Sequence, residues 1–247
     1  MDFPLAAAWG FGLVLLRTFG LFLGAPILGA RTVPVRVKAG IAFAIAAAVW
    51  AAAGSPEVAA PATLWPLATA VASETALGLL AGLGARAVLL AALSAGQLAS
   101  QSAGIGFGAM VDPSSGAESN AVSELLHVTA QAGAVALGLH REAIAWLARS
   151  TAAFPPGASH GLGELATRVV WETTGAAALA VRLAFPILAA VSLGHFVMAV
   201  TGRMAPQLNL NNLGFSVSLL AGGGAFYLLA PSIANAIALM ATAALAG

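Results

Sequence analysis

The chain has 247 residues, of which 60% are hydrophobic and only 8% charged, with a mean hydropathy of +0.94. A soluble domain carries roughly 25% charged residues. Ten basic and nine acidic side chains cannot cover a water-facing surface of this size, so the composition is that of an integral membrane protein. A net charge of +1 points to neither nucleic acid nor an acidic substrate, and the absence of cysteine excludes disulfides, thiolate metal sites and cysteine nucleophiles together.

From about Leu5 to Ala30 the chain is apolar, with Arg17 near the middle. No Lys or Arg precedes this run, so the expectation is that the first helix stays in the mature protein. A polar patch follows with Arg31, Arg36 and Lys38 around Pro34, then a second apolar run over 40–53 that is only just long enough to cross a bilayer. A Pro-rich connector over 54–66 leads to a third helix expected over 67–100, which carries Glu74 and Arg86.

The stretch SAGQLASQSAGIGFGAMVDPSSGAESN, 94–120, interrupts the helices. Gly104, Gly106 and Gly108 alternate with Ile105, Phe107 and Ala109, and each Gly weakens a helix by up to ~1 kcal/mol. Asp112-Pro113 then stops any regular element. The segment reads as a flexible, partly apolar loop that plugs something, with Ile105, Phe107, Met110 and Val111 as its sealing side chains.

A fourth helix is expected over 121–139, with Glu124 and His127 in its first turns. Residues 140–175 are less hydrophobic and contain the breaker Phe154-Pro155-Pro156-Gly157. Glu164, Arg168 and Glu172 fall at i, i+4 and i+8, a charge ladder on one helix face. The apolar run 175–200 holds Arg182 and Pro186, and a polar break containing Arg203, Pro206, Gln207 and Asn209 precedes a last apolar stretch over 213–246. The reading is all-α: about six hydrophobic helical segments in one domain covering 1–247, with no repeat. Loops on one side carry Arg31, Arg36, Lys38 and Arg203, and those on the other Arg141, Arg149 and Arg168, which is too even to orient the chain.

Arg17, Glu74, Arg86 and Arg182 lie inside apolar helices, where a charge at the bilayer centre costs at least ~2.5 kcal/mol. Glu74 and Arg86 stand ~18 Å apart along one helix, so they cannot pair there. Glu74 is expected to meet Arg17 or Arg182 across helices, as a structural ion pair or as part of a proton relay in a standalone permease. Gly20/Gly24 and Gly78/Gly82 have the small-xxx-small spacing that lets helices approach closely, although 28 glycines produce such spacings by chance. Gly157-Ala158-Ser159-His160-Gly161 matches a nucleophile elbow, but that elbow needs a strand before it. Ser159 reads instead as a helix cap. No catalytic constellation and no metal-ligand spacing is present, so the expectation is that the protein is not an enzyme. At 203–209, Gln207 and Asn209 are placed to hydrogen-bond backbone exposed where Pro206 breaks the helix.

Three separated patterns occur in order: LLRTFGLFLGAPILGARTVPVRVKAG at 15–40, GxGFxxxVDP at 104–113, and RMAPQLN at 203–209 followed by Gly214-Phe215. Together they resemble the FliR/SctT family, the export-gate component of bacterial flagellar and virulence type III secretion systems. The VP-x-RVK element looks more like the flagellar branch, while Asn211-Asn212, Ser216 and Leu139-His140 depart from the family pattern. The resemblance implies a single copy closing a helical ring with FliP-type and FliQ-type subunits, in contact with FlhB-type and FlhA-type components and membrane lipid. Unfolded export substrates would pass a central pore in the bacterial inner membrane, at the flagellar basal body, without cofactor or nucleic acid. It further implies that the loop over 104–118 is a plug inside that pore. The hydrophobic segments are then expected to pack as bent hairpins, not all of them crossing the bilayer, with buried charges meeting neighbouring subunits.

Overall fold

The computed structural model describes residues 5–26, 34–102, 121–157, 162–204 and 210–246. Seven helices make up these segments: α1 (Leu5–Gly24), α2 (Val35–Ala52), α3 (Leu64–Ser102), α4 (Ala121–Ala136), α5 (Leu139–Ala153), α6 (Leu162–Met204) and α7 (Leu210–Ala246). No strand occurs among the described residues, which makes the fold all-α. Among the described residues, five stretches are long and apolar enough to cross a membrane: Leu5–Gly24, Val35–Ala52, Leu64–Ser102, Val169–Met204 and Leu220–Leu245. The expected segment after the central loop is only 16 residues as α4, too short by itself to span.

Boundaries differ from the expectation where a local signal was misjudged. α1 ends at Gly24, before Pro26, and the rest of the expected run, 27–30, lies outside the described residues. α2 begins at Val35, directly after Pro34, and takes Arg36 and Lys38 into its first turn. Proline there leaves unmade only a bond that a helix start lacks anyway. α6 is continuous over 43 residues through Pro186, and α7 over 37 residues through Gly222-Gly223-Gly224 and Pro231. Apolar helices tolerate such breakers because the surrounding helix has no water to exchange its remaining bonds with.

The chain divides into two compact units. The first comprises Met1–Val88, Val135–Thr173 and Met240–Gly247. In it α2 closes with a Schellman turn: Gly54 takes φ +80, its N–H donates to the Ala51 carbonyl, and the Ser55 N–H donates to the Trp50 carbonyl. This turns the connector back onto α1, where the Val58 N–H donates to the Ala6 carbonyl and the Trp50 indole donates to the Pro56 carbonyl. Phe11 packs edge-on against Phe43 and Trp50, at centroid distances of 5.2 and 5.9 Å. The core is built on Leu13, Val14, Leu21, Leu77, Leu89's helix neighbour Val88, Leu139 and Leu147.

α1 and α3 touch backbone to backbone in this unit. A Cβ on Gly20 would overlap the Thr75 carbonyl, one on Gly78 the Arg17 carbonyl, and Gly24 and Gly82 face each other in the same way. The two small-xxx-small pairs are therefore one interlocked crossing. Between apolar helices no hydrophobic gain drives association, so close approach and dispersion do.

The second unit comprises Leu89–Ala134 and Thr174–Leu239. Its buried positions are mostly alanine: Ala91, Ala92, Ala95, Ala99, Ala130, Ala176, Ala180, Ala184, Ala234 and Ala238 among them. Gly96 seats the backbone of Ser123, joining α3 to α4. The His127 imidazole Nδ1 lies 3.2 Å from the Leu89 carbonyl and its Nε2 lies 2.8 Å from Gln131 Nε2. Donation from Nδ1 to the carbonyl and from the Gln131 amide to Nε2 satisfies both ring nitrogens of a neutral histidine.

Candidate functional site

The polar centre of the first unit is Arg17 with Glu74, and both side chains are 0% exposed. Arg17 Nε donates to Glu74 Oε2 at 2.7 Å. Its Nη1 donates to the Ser150 carbonyl at 2.8 Å and to Ser150 Oγ at 3.2 Å, and its Nη2 to the Phe154 carbonyl at 2.9 Å. The other carboxylate oxygen of Glu74 accepts the Gly157 N–H at 2.8 Å. The planar fork of an arginine matches this spread of acceptors, which a lysine could not.

Local sequence explains why this charge is needed. The last carbonyls of a helix lack partners, and a buried helix end must find them elsewhere. After α5 ends, Pro155 and Pro156 have no N–H to offer, and Phe154 takes an extended conformation (φ −129, ψ 88), as a residue before proline prefers. Its carbonyl turns to Arg17. Gly157, at φ +86, adopts a conformation that favours glycine, and its N–H points at Glu74. The guanidinium thus stands at the negative end of the α5 dipole, where a cation is favoured, and Glu74 neutralises it. No buried side-chain nitrogen or oxygen among the described residues lacks a partner.

Of the two partners open to Glu74, the structure brings Arg17 and not Arg182. Ser150, Phe154 and Gly157 had no signal beyond the Pro-Pro-Gly breaker, because three of the contacts use backbone atoms. Arg36, Arg86, Arg182 and Arg203 are exposed, whereas Lys38 is half-buried. Arg149 donates to the Leu245 carbonyl at 2.8 Å, closing the C-terminal end of α7, and lies 3.8 Å from Glu142 in an exposed pair. The Glu172 carboxylate lies against Gly84, where any Cβ would overlap it. The plug residues Gly104 to Pro113, together with Pro206, Gln207 and Asn209, lie outside the described residues, as do Ser159 and the side chains of Glu164 and Arg168. No cluster of three His, Asp or Glu side chains occurs among the described residues.

Long apolar helices wrapped around a sealed, fully bonded ion pair define a polytopic membrane protein whose buried charges hold its helices together. The chain belongs to the family of bacterial export proteins, family 1, whose model matches residues 8–243, in agreement with the FliR/SctT resemblance of its motifs. It is 24% identical over 210 residues to the flagellar biosynthetic protein FliR of Caulobacter vibrioides, covering 85% of this chain and 84% of that one. It is 27% identical over 225 residues to the flagellar biosynthetic protein FliR of Escherichia coli, covering 89% of this chain and 84% of that one.

Proposed function

We propose that the whole chain acts as one FliR-like domain, the export-gate subunit of the flagellar type III secretion apparatus in the bacterial inner membrane. In this reading it forms, with FliP-type and FliQ-type subunits, the pore for unfolded export substrates. FlhB-type and FlhA-type components dock on that gate. The observation that carries the reading is the family match running through nearly the entire chain, to relatives whose names are those of flagellar biosynthetic proteins. Residues 104–118 are the plug of that pore: three alternating glycines give mobility, Ile105, Phe107, Met110 and Val111 seal, and Asp112-Pro113 sets the bend. Arg36, Lys38, Arg86, Arg182, Arg203, Pro206, Gln207 and Asn209 serve assembly in the same reading.

A standalone proton-coupled permease would need Glu74 to exchange protons along a path. Both of its oxygens are occupied and none of it is exposed, which favours a structural role. The test of the gate is ion conductance after deletion of 104–118 with the partner subunits co-expressed. A leak that appears only with the partners present is expected. An intact complex that stays tight would mean the closing element is elsewhere.

A further inference from the structure

The first unit has two chemically different ends. α1 and α3 run parallel, since Gly20 meets Thr75 and Gly24 meets Gly82. α2 runs back along α1, with Phe11 against both Phe43 and Trp50. α5 also runs against α1: Arg17 reaches Ser150 and Phe154, while Ala25 and Ala85 share a small apolar cavity with Leu139 and His140. One end of the unit therefore gathers the close of α1, the starts of α2 and α5, and the turn of α3 at Ala85. The other gathers the start of α1, the close of α2 and the start of α3.

The charges follow this division. Arg36, Arg86 and Arg141 are exposed at the first end, and Lys38 is half-buried in the same turn of α2 as Arg36. Arg149 adds its guanidinium there by reaching the carbonyl of Leu245, which lines the same cavity. Glu142 and Glu172 stand at this end too, but acidic residues count little in setting membrane orientation. The stretches that build the second end, 5–16, 39–70 and 150–157, contain no Lys or Arg; they hold Glu57 with Trp9, Trp50 and Trp65. The sequence count set Arg36 and Arg141 on opposite sides because it took 121–139 as a crossing, and it left out Arg86 as a residue inside a helix. Trp65 and Arg86 stand about 31 Å apart along α3, close to a hydrocarbon core of about 30 Å. The sealed pair of Arg17 and Glu74 falls between them. Tryptophan gathers at membrane interfaces, and Lys and Arg on the cytoplasmic side, where anionic lipids make the surface negative.

We propose that the first unit stands in the membrane with its basic end in the cytoplasmic leaflet, where Arg36, Arg86 and Arg141 meet the phosphates of anionic lipids, and with its tryptophan end at the outer face. The proposal rests on the inner-membrane placement given above. It deepens the assembly role of Arg36 and Arg86, which fix the direction and height at which neighbours meet this chain. The chain has no cysteine, so a single introduced one reports without background. In spheroplasts of cells making the full chain, a membrane-impermeant maleimide is expected to label A59C in the connector and to spare V35C until the membrane is opened; both positions are exposed. The reverse pattern overturns the proposal. Alkaline phosphatase, active only outside the cytoplasm, should be active when inserted after Ala60 of the full chain, and inactive enzyme at a normal protein level overturns the proposal whatever shields the cysteines. The variant R36Q/R86Q/R141Q should retain at most a third of the phosphatidylglycerol that copurifies with wild type, while R36K/R86K/R141K retains nearly all of it. An unchanged amount in the glutamine variant overturns the lipid contact. Fractionation of the same cells reads the placement separately: a chain absent from the inner membrane fails that placement, and a chain present there with reversed labelling fails the orientation alone.

Discussion

Arg17 illustrates how little of a buried charge's role is visible in its pair partner alone. Removing one partner of a buried ion pair typically costs ~3–5 kcal/mol, whereas replacing both by apolar residues of similar volume is often neutral. The second rule should fail here. Arg17→Met with Glu74→Leu leaves the Phe154 carbonyl and the Gly157 N–H without these partners in a sealed interior, while the Ser150 carbonyl keeps the Phe154 N–H. Each unsatisfied group costs ~1–3 kcal/mol. We expect the double variant to remain destabilised by several kcal/mol, close to Glu74→Gln alone, when thermal unfolding is followed in detergent. A double variant as stable as wild type would show that the Phe154 carbonyl and the Gly157 N–H find other partners. Sequence narrowed Glu74 to two arginines but offered no sign of the other acceptors, since carbonyls at a helix end leave no trace in residue identity.

At the scale of helices, the glycines separate into those that touch another backbone and those that do not. A Cβ on Gly78 would meet the carbonyl of Arg17 and the amide of Leu21, neither of which can move without separating α1 from α3. Gly78→Ala is expected to destabilise by ~1–3 kcal/mol, in the range of overpacked cores. Gly40, in α2, has nothing within 4 Å of its would-be Cβ. Gly40→Ala should be neutral or stabilise by up to ~1 kcal/mol, through helix propensity alone. Equal melting shifts for the two would mean that the α1–α3 crossing is not held by close approach. Hydropathy located every long helix, because apolar runs are the signal it measures. It kept Pro186 inside the run 175–200 but interrupted α7 at Gly222-Gly223-Gly224 and Pro231, since such residues end helices in water and not where every backbone bond must be kept. α5 was missed as a separate element because its apolar face, Leu139, Ala143, Trp146, Leu147 and Ser150, is interleaved with charges.

Taken whole, the molecule exposes many large apolar side chains, Leu220, Tyr227 and Leu228 on α7 and Phe185, Leu193 and Phe196 on α6 among them. In the export-gate reading, partner subunits cover part of this apolar surface. Expressed without partner subunits, this chain is expected to accumulate to several-fold lower levels and to run as heterogeneous species in detergent. Co-expression should restore a single species on size-exclusion chromatography. A monodisperse, stable monomer would contradict the assembly reading. The family was legible from three motifs in order, whereas the covering of these faces was not, because exposure depends on how the helices turn about their axes.

The ion pair joins residues made far apart in time. Arg17 lies 57 positions before Glu74 and 133 before Ser150. At roughly 5–20 residues per second of synthesis, α1 waits on the order of 3–11 s for its carboxylate and about 7–27 s for the end of α5. Throughout that interval the nascent first helix carries an uncompensated guanidinium and cannot settle into acyl chains. In that interval, burial of the first helix in acyl chains carries the cost of its charge, at least ~2.5 kcal/mol. The clamp that closes the finished unit therefore relieves the charge of the first helix only once the fifth has been made.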